Sequence, residues 1–217
     1  AKETLEQYKA LAQAGFTGGV LPRQHGGINF PATIYFMMIE MVSRADASLM
    51  TMFGYQDIGE TIYRFGTEEQ SAKFLPKYAA GEHIAAMVLT EPAAGSDLQS
   101  VQLQAFQDEE GQWRLRGTKH FISNGCGDLL LVLARSEPKT TDLFGLSLFA
   151  VHANGQVNVN RIEHKMGLHG SPTCELYFDD APAELIGRRR AGLFNVLFAL
   201  NQARFSVAAQ ALGVAEA

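Results

Sequence analysis

Apolar positions recur every three to four residues through the first eighty positions of the chain, and roughly every second residue after that. Leu5, Tyr8, Leu11 and Ala12 fall on one helical face, and Gly15 supplies a natural end. Pro22 to Phe30 reads as a loop carrying Gly26 and Gly27. Pro31 suits the first turn of a helix reaching about Ser43. On that helix Ile34, Met37, Met38 and Met41 form a stripe expected to be core rather than a set of thioether ligands. A helix over Gln56 to Phe65 closes at Gly66. Thr67-Glu68-Glu69-Gln70 then has the pattern of a capping box, in which the Thr67 and Gln70 side chains each accept from a free backbone N–H. It opens a helix that runs to Ala80 and ends at Gly81.

From Ile84 the period becomes strand-like. Short β-prone runs stand at Ala85–Leu89, Val101–Phe106, Trp113–Arg116, Lys119–Ile122, Leu129–Leu133, Leu146–Val151 and Cys174–Phe178. Turns such as Asn124-Gly125 and Asn154-Gly155 separate them. Strands this short and closely spaced predict an antiparallel barrel or sandwich. After about Gly192 the helical period returns through Leu193, Val196, Leu197, Leu200, Val207, Ala208 and Leu212. The expected organisation is α+β and multidomain: helices over 1–82, a β domain over 83–187, and the opening helix of a further unit over 188–217.

Composition narrows the possibilities. The chain has 217 residues, with 18 Lys plus Arg against 23 Asp plus Glu and a net charge of −5, which argues against the broad basic face of a nucleic-acid binder. Cys126 and Cys174 belong to no CxxC pair; they read as small buried fillers in a reduced, intracellular protein. No apolar run reaches the length of a membrane span, and Ala1-Lys2-Glu3-Thr4 does not open a signal peptide. The absence of an initial Met and the abrupt end at Ala217 suggest a trimmed chain. The six histidines form no HExxH-like cluster, so no metal site is expected; His164 and His169, flanking Gly167, read as structural. Asp179-Asp180 reads as a turn at a strand end, and Arg188-Arg189-Arg190 as a solvated run rather than a phosphate site.

Two segments carry candidate chemistry. In Met87-Val88-Leu89-Thr90-Glu91-Pro92-Ala93-Ala94-Gly95-Ser96-Asp97 a strand breaks at Pro92 into a loop of small residues. That loop offers backbone amides and two hydroxyls to a ligand approaching the main chain. In Gly117-Thr118-Lys119-His120-Phe121-Ile122-Ser123-Asn124-Gly125 a strand ends on a hydroxyl and turns. Each alone is no more than a tight turn. Together, about thirty residues apart, TEPxAGSD and G-x-K-x-F-I-S-N-G resemble the acyl-CoA dehydrogenase family. Arg64-Phe65-Gly66-Thr67-Glu68-Glu69-Gln70 with Phe74-Leu75-Pro76, Ile162-Glu163-His164-Lys165-Met166-Gly167, and the helix from Asn201 extend the likeness along the whole chain. Within the family, the run from Ile162 to Asp180 is most similar to the branch that includes 3-methylmercaptopropionyl-CoA dehydrogenase.

The resemblance implies an N-terminal helical bundle, a middle antiparallel β-barrel that binds FAD, and the first helix of a C-terminal helical bundle. It implies that the strand Met87 to Thr90 lies along the flavin ring, with Leu89 and Thr90 donating to its pyrimidine end. Gly95 and Ser96 match positions at the cofactor pyrophosphate, and Ser96 also at the bound thioester. Phe121 stands where many members carry Trp, Ile122 follows it, and the Ser123 hydroxyl matches one near flavin N5. Asn201 and Arg204, three apart on one helix face, match an acidic residue and an arginine that contact coenzyme A; Asn for Asp is a departure, as is Ala93 for Gly. An acidic protein can still hold coenzyme A through a few local cations. The implied reaction is α,β-dehydrogenation of an acyl-CoA, with electrons passed to an electron-transfer flavoprotein, in a homodimer or homotetramer of the bacterial cytoplasm or the mitochondrial matrix. The family's catalytic glutamate has no match among Glu91, Glu163, Glu175 or the others, so no catalytic residue is assigned. The 217 residues alone are expected to be inactive and to hold FAD weakly. An acyl-CoA oxidase, a nitroalkane-oxidising flavoprotein, or a non-catalytic acyl-CoA- or DNA-binding relative stand as alternatives.

Overall fold

The computed structural model describes residues 2–153 and 155–217. Five helices come first: α1 (Lys2–Gln13), α2 (Ala32–Ala45), α3 (Ala47–Phe53), α4 (Gln56–Phe65) and α5 (Glu68–Ala79). Seven strands follow: β1 (Ala85–Val88), β2 (Gln104–Gln107), β3 (Trp113–Ser123), β4 (Leu129–Arg135), β5 (Leu146–His152), β6 (Val157–Ile162) and β7 (Thr173–Ile186). A long helix, α6 (Gly192–Ala215), ends the chain. No helix among the described residues is long and apolar enough to cross a membrane.

The strands β4, β2, β3, β7 and β5 pair in turn, and β5 returns to β4, closing a barrel; β1 lies beside β4 and β6 beside β7. The expectation of purely antiparallel pairing needs correction, because β1 and β2 both run parallel to β4. Pairing between strands this far apart in sequence leaves no local signal. The runs at 113–116 and 119–122 are one strand, with irregular register between Leu115 and Gly117 and again between Lys119 and Ile122. Asp179 and Asp180 lie inside β7, not at its end. Asp180 adopts φ 51° there, and β7 passes from pairing with β6 to pairing with β5. Strand β6 was not among the runs read from the sequence: Val157 to Asn160 alternate, but the stretch is short and polar, and five of its six residues are exposed. The expected Asn154-Gly155 turn falls on Asn154, outside the described residues.

Every residue of β4 is buried because both of its faces are covered. Leu130, Val132 and Ala134 point into the barrel with Leu115, Phe149, Leu176 and Phe178. Leu129, Leu131 and Leu133 point outward to Ile58, Ile62, Phe74, Leu75 and Val196 of the helices. The capping box forms as read: the Thr67 hydroxyl accepts from the Gln70 amide at 3.1 Å, and the Gln70 side chain accepts from the Thr67 amide at 3.0 Å. The short α3, which the pattern did not announce, is capped by Asp46, whose carboxylate accepts from the amides of Ser48 and Leu49.

The methionine stripe on α2 is a second correction. Met37 and Met41 are 56% and 71% exposed, and Ile34 is also exposed; of the stripe only Met38 packs against the core, while Tyr35, Ile39 and Ser43 face inward. The helix has apolar residues on two faces, so periodicity alone could not choose between them. Helix α6 is held at two glycines: a Cβ on Gly192 would collide with the Ser147 backbone of β5, and one on Gly213 with the Glu40 carbonyl of α2.

Candidate functional site

The two chemistry-bearing segments meet at the end of β1. Beyond Val88 the chain continues through Leu89 and Thr90 into a tight loop in which Glu91 and Ala94 exchange both backbone hydrogen bonds, at 3.0 and 3.1 Å. From β3, the His120 amide donates to the Thr90 carbonyl at 2.9 Å, tying one segment to the other. Beneath that bond lies a buried ion pair. Lys119, fully buried, donates to the Leu89 carbonyl at 2.7 Å and to Glu91 at 2.9 Å. Glu91 in turn accepts from the amides of Gln102 at 2.7 Å and Leu103 at 2.9 Å. Burial pushes the Lys119 ammonium down to about 8 while the Glu91 charge pulls it back up, so it stays protonated at neutral pH. A pair so thoroughly hydrogen-bonded fixes the geometry of both loops at once.

Around this clamp the predicted residues sort clearly. Leu89 and Ile122 are buried; Met87, Thr90 and Ser123 are half-buried; Gly95, Ser96 and Phe121 are exposed. Phe121 occupies φ 58°, a conformation costly for a residue with a Cβ, and this left-handed residue leaves its ring 59% exposed at the loop mouth. The Thr90 and Ser96 hydroxyls have no hydrogen-bond partner among the described residues. A Cβ on Gly95 would meet nothing within 4 Å, so the loop is open to an approaching group. Small loop residues, free hydroxyls and an exposed aromatic ring are suited to a flat, polar-edged ligand lying against strand ends.

Asn201 and Arg204 lie apart from these loops, on the exposed side of α6, where Arg204 donates to the Asn201 side-chain oxygen. What links α6 to Ser123 is a residue the sequence did not mark. Tyr55 lies beside Ser123; burial raises its hydroxyl above the usual tyrosine value, and the neighbouring Ser123 side chain offsets part of that rise. It also lines an apolar cavity of about 210 Å³ with Met50, Gly54, Ala203, Ser206 and Val207. Asn124 anchors the following turn by donating to the Thr51 carbonyl at 3.0 Å and accepting from the Ser171 hydroxyl at 3.2 Å.

Other candidates find different work. Cys174 is buried, but Cys126 is exposed, which corrects its reading as a filler. A hydrogen bond from Cys174 lowers the Cys126 thiol to about 7, and the Cys174 thiol is raised in return. Asp180 pairs with Arg116, which holds its carboxyl below the ordinary value. Arg188, Arg189 and Arg190 are all exposed, as read for a solvated run, although Arg189 also binds Glu137 at 2.6 Å and stacks over Trp113. His169 bonds to the Lys165 carbonyl at 2.7 Å. Among the described residues, no group of three or more His, Cys, Asp or Glu is arranged to hold a metal ion.

A helical layer, a closed barrel and a paired-loop edge at the end of β1 define the architecture of one enzyme family. Residues 2–82 match the model of the acyl-CoA dehydrogenase N-terminal domain, and residues 86–181 that of its middle domain. This chain belongs to the acyl-CoA dehydrogenase family. It is 37% identical over 216 residues to an acyl-CoA dehydrogenase of Bacillus subtilis (strain 168), covering 96% of this chain and 56% of that protein. It is 32% identical to the 3-methylmercaptopropionyl-CoA dehydrogenase of Ruegeria pomeroyi, covering 96% of this chain and 38% of that one. Butyryl-CoA dehydrogenase from Megasphaera elsdenii superposes with a TM-score of 0.92 at 31% identity, over 97% of this chain and 57% of that one. The protein PigA, in a structure with FAD and proline, superposes at 0.87 and 30% identity, over the same shares. The chain thus spans about half the length of most of these relatives.

Proposed function

We propose that this chain carries the flavin-binding loops of an FAD-dependent dehydrogenase that converts an acyl-CoA thioester to its trans-2-enoyl-CoA. The observation that supports the reading is the Lys119–Glu91 clamp, which ties the segment carrying Thr90 and Ser96 to the strand carrying Phe121 and Ser123. Met87, Leu89, Thr90, Gly95, Ser96, Phe121, Ile122 and Ser123 would hold FAD. The bound cofactor supplies a two-electron acceptor for the hydride leaving the acyl β-carbon. Leu89 and Thr90 would donate to its pyrimidine edge, and Ser123, beside Tyr55, would donate to the ring from the other side. The 210 Å³ apolar cavity beside Tyr55 is the place for acyl carbons, and Ser96, Asn201 and Arg204 would hold the coenzyme A part. The base that removes the α-proton is assigned to none of these residues. The proposed acceptor of the electrons is an electron-transfer flavoprotein, and the proposed setting is a homodimer or homotetramer in the bacterial cytoplasm or the mitochondrial matrix.

An FAD titration followed by flavin fluorescence tests the reading directly. Saturable binding by the full-length protein, with flavin bleaching on addition of an acyl-CoA and slow reoxidation in air, is the expected result. Fast reoxidation by oxygen would make it an oxidase instead. Turnover by the 217 residues alone would show that the base had been missed among them, and failure to bind FAD would remove the flavin reading.

A further inference from the structure

Asp57 is buried without a partner. It lies in the first turn of α4, 4% exposed, and neither carboxylate oxygen accepts a well-formed hydrogen bond; the side-chain nitrogen of adjacent Gln56 is unsatisfied as well. The amides of Asp57 and Ile58 offer some compensation at the helix N-terminus, but that is smaller than the cost of withdrawing a lone carboxylate from water. Such a group calls for a counter-charge.

The space for one is present. Asp57 lines a cavity of about 250 Å³ bounded by α2, α4, α6 and the segment from Val20 to Ala32. Glu60 lines it too, as do the hydroxyl-bearing Ser206 and the amides Asn29 and Gln202, while Phe30 and Phe36 supply apolar walls. No Lys, Arg or His is among the lining residues. The Tyr35 hydroxyl is already donated to the Gly54 carbonyl at 2.9 Å, and Glu60 accepts only a 3.3 Å bond from Gln202. Two carboxylates without histidine or cysteine are a poor donor set for a transition metal. Acid groups beside aromatic rings suit a nitrogen cation on an apolar stem. We propose that this cavity binds an organic cation, an alkylammonium or guanidinium group, between Asp57 and Glu60 with its carbon stem against Phe30 and Phe36. The site is separate from the flavin loops and does not depend on their assignment.

The cation has two possible sources, a free amine or a Lys or Arg side chain carried by polypeptide outside these residues. Thermal unfolding of the full-length protein at constant ionic strength, titrated with agmatine, distinguishes them. A free ligand gives a saturable rise in Tm of a few degrees that is lost in both Asp57→Asn and Glu60→Gln. A polypeptide cation gives no agmatine response, a fall in Tm of several degrees for Asp57→Asn, and no protonated-carboxyl infrared band at pH 6 that Asp57→Asn removes. An agmatine response that survives the substitutions overturns the proposal. So does the absence of any response in a protein where Asp57→Asn is neutral or stabilising, or where that infrared band is present. Glu60→Gln keeps the test open if Asp57→Asn fails to fold.

Discussion

The barrel and the helical layer handle buried polar groups in opposite ways. Inside and beside the barrel, each buried charge is met: Lys119 and Glu91 satisfy one another, and Arg135 donates to the carbonyls of Val101, Thr140, Asp142 and Gln99. In the helical layer, among the described residues, both Asp57 carboxylate oxygens and the Gln56 side-chain nitrogen stay unmatched, and Met37, Met41, Phe194 and Phe205 turn apolar surface to water. The barrel meets its buried charges with its own groups, while the outer face of β4 still rests on the helices. The helices leave groups and surfaces free for purposes other than holding the fold.

That contrast can be broken most severely in the barrel. Phe149→Ala empties a fully buried position between Trp113 and the inner face, and should cost about 3–5 kcal/mol in urea unfolding. Lys119→Met strands Glu91 in the interior and should cost about 3–5 kcal/mol as well. A loss under about 1 kcal/mol would mean that the clamp does not hold the loops.

The helical layer should show instead a pH effect. Burial raises the Asp57 carboxyl to about 7, with Glu60, Tyr35, Tyr55 and Tyr78 around it and no cationic side chain acting on it among the described residues. The folded chain keeps a proton that the unfolded chain releases near pH 4, so stability falls as pH rises from about 4 to about 7. The drop should be on the order of a few kcal/mol without added cation, and Asp57→Asn should remove that part of the slope. Smaller effects finish the series. Thr67→Ala removes one half of the capping box and should cost about 1 kcal/mol. Met41→Ala, on an exposed face, should stay within about 0.5 kcal/mol of zero by the same measurement.

What the sequence revealed was local. The Thr67 to Gln70 box, helix α4 and the two chemistry-bearing loops are each written in a few adjacent residues, and they form as read. What it concealed depends on distant neighbours. The parallel pairing of β1 with β4 joins positions more than forty residues apart. Strand β6 is held by its pairing with β7; the brief alternation of Val157 to Asn160 buries almost nothing and is a weak local signal. The methionines of α2 look like core until Tyr35 and Ile39 take the inward face. Tyr55 carries no motif, and only folding brings it to Ser123.

The glycine contacts of α6 have a mechanical consequence. Gly192 and Gly213 are 21 residues apart, so α6 spans about 31 Å between close contacts with two different layers. Between them Val196 and Ala199 are buried and Gln202 bonds to Glu60, so the helix is seated along its length and a side chain added at either glycine must displace the seating of the whole rod. Asn201 and Arg204, on its exposed side, keep their position only while both ends stay in contact.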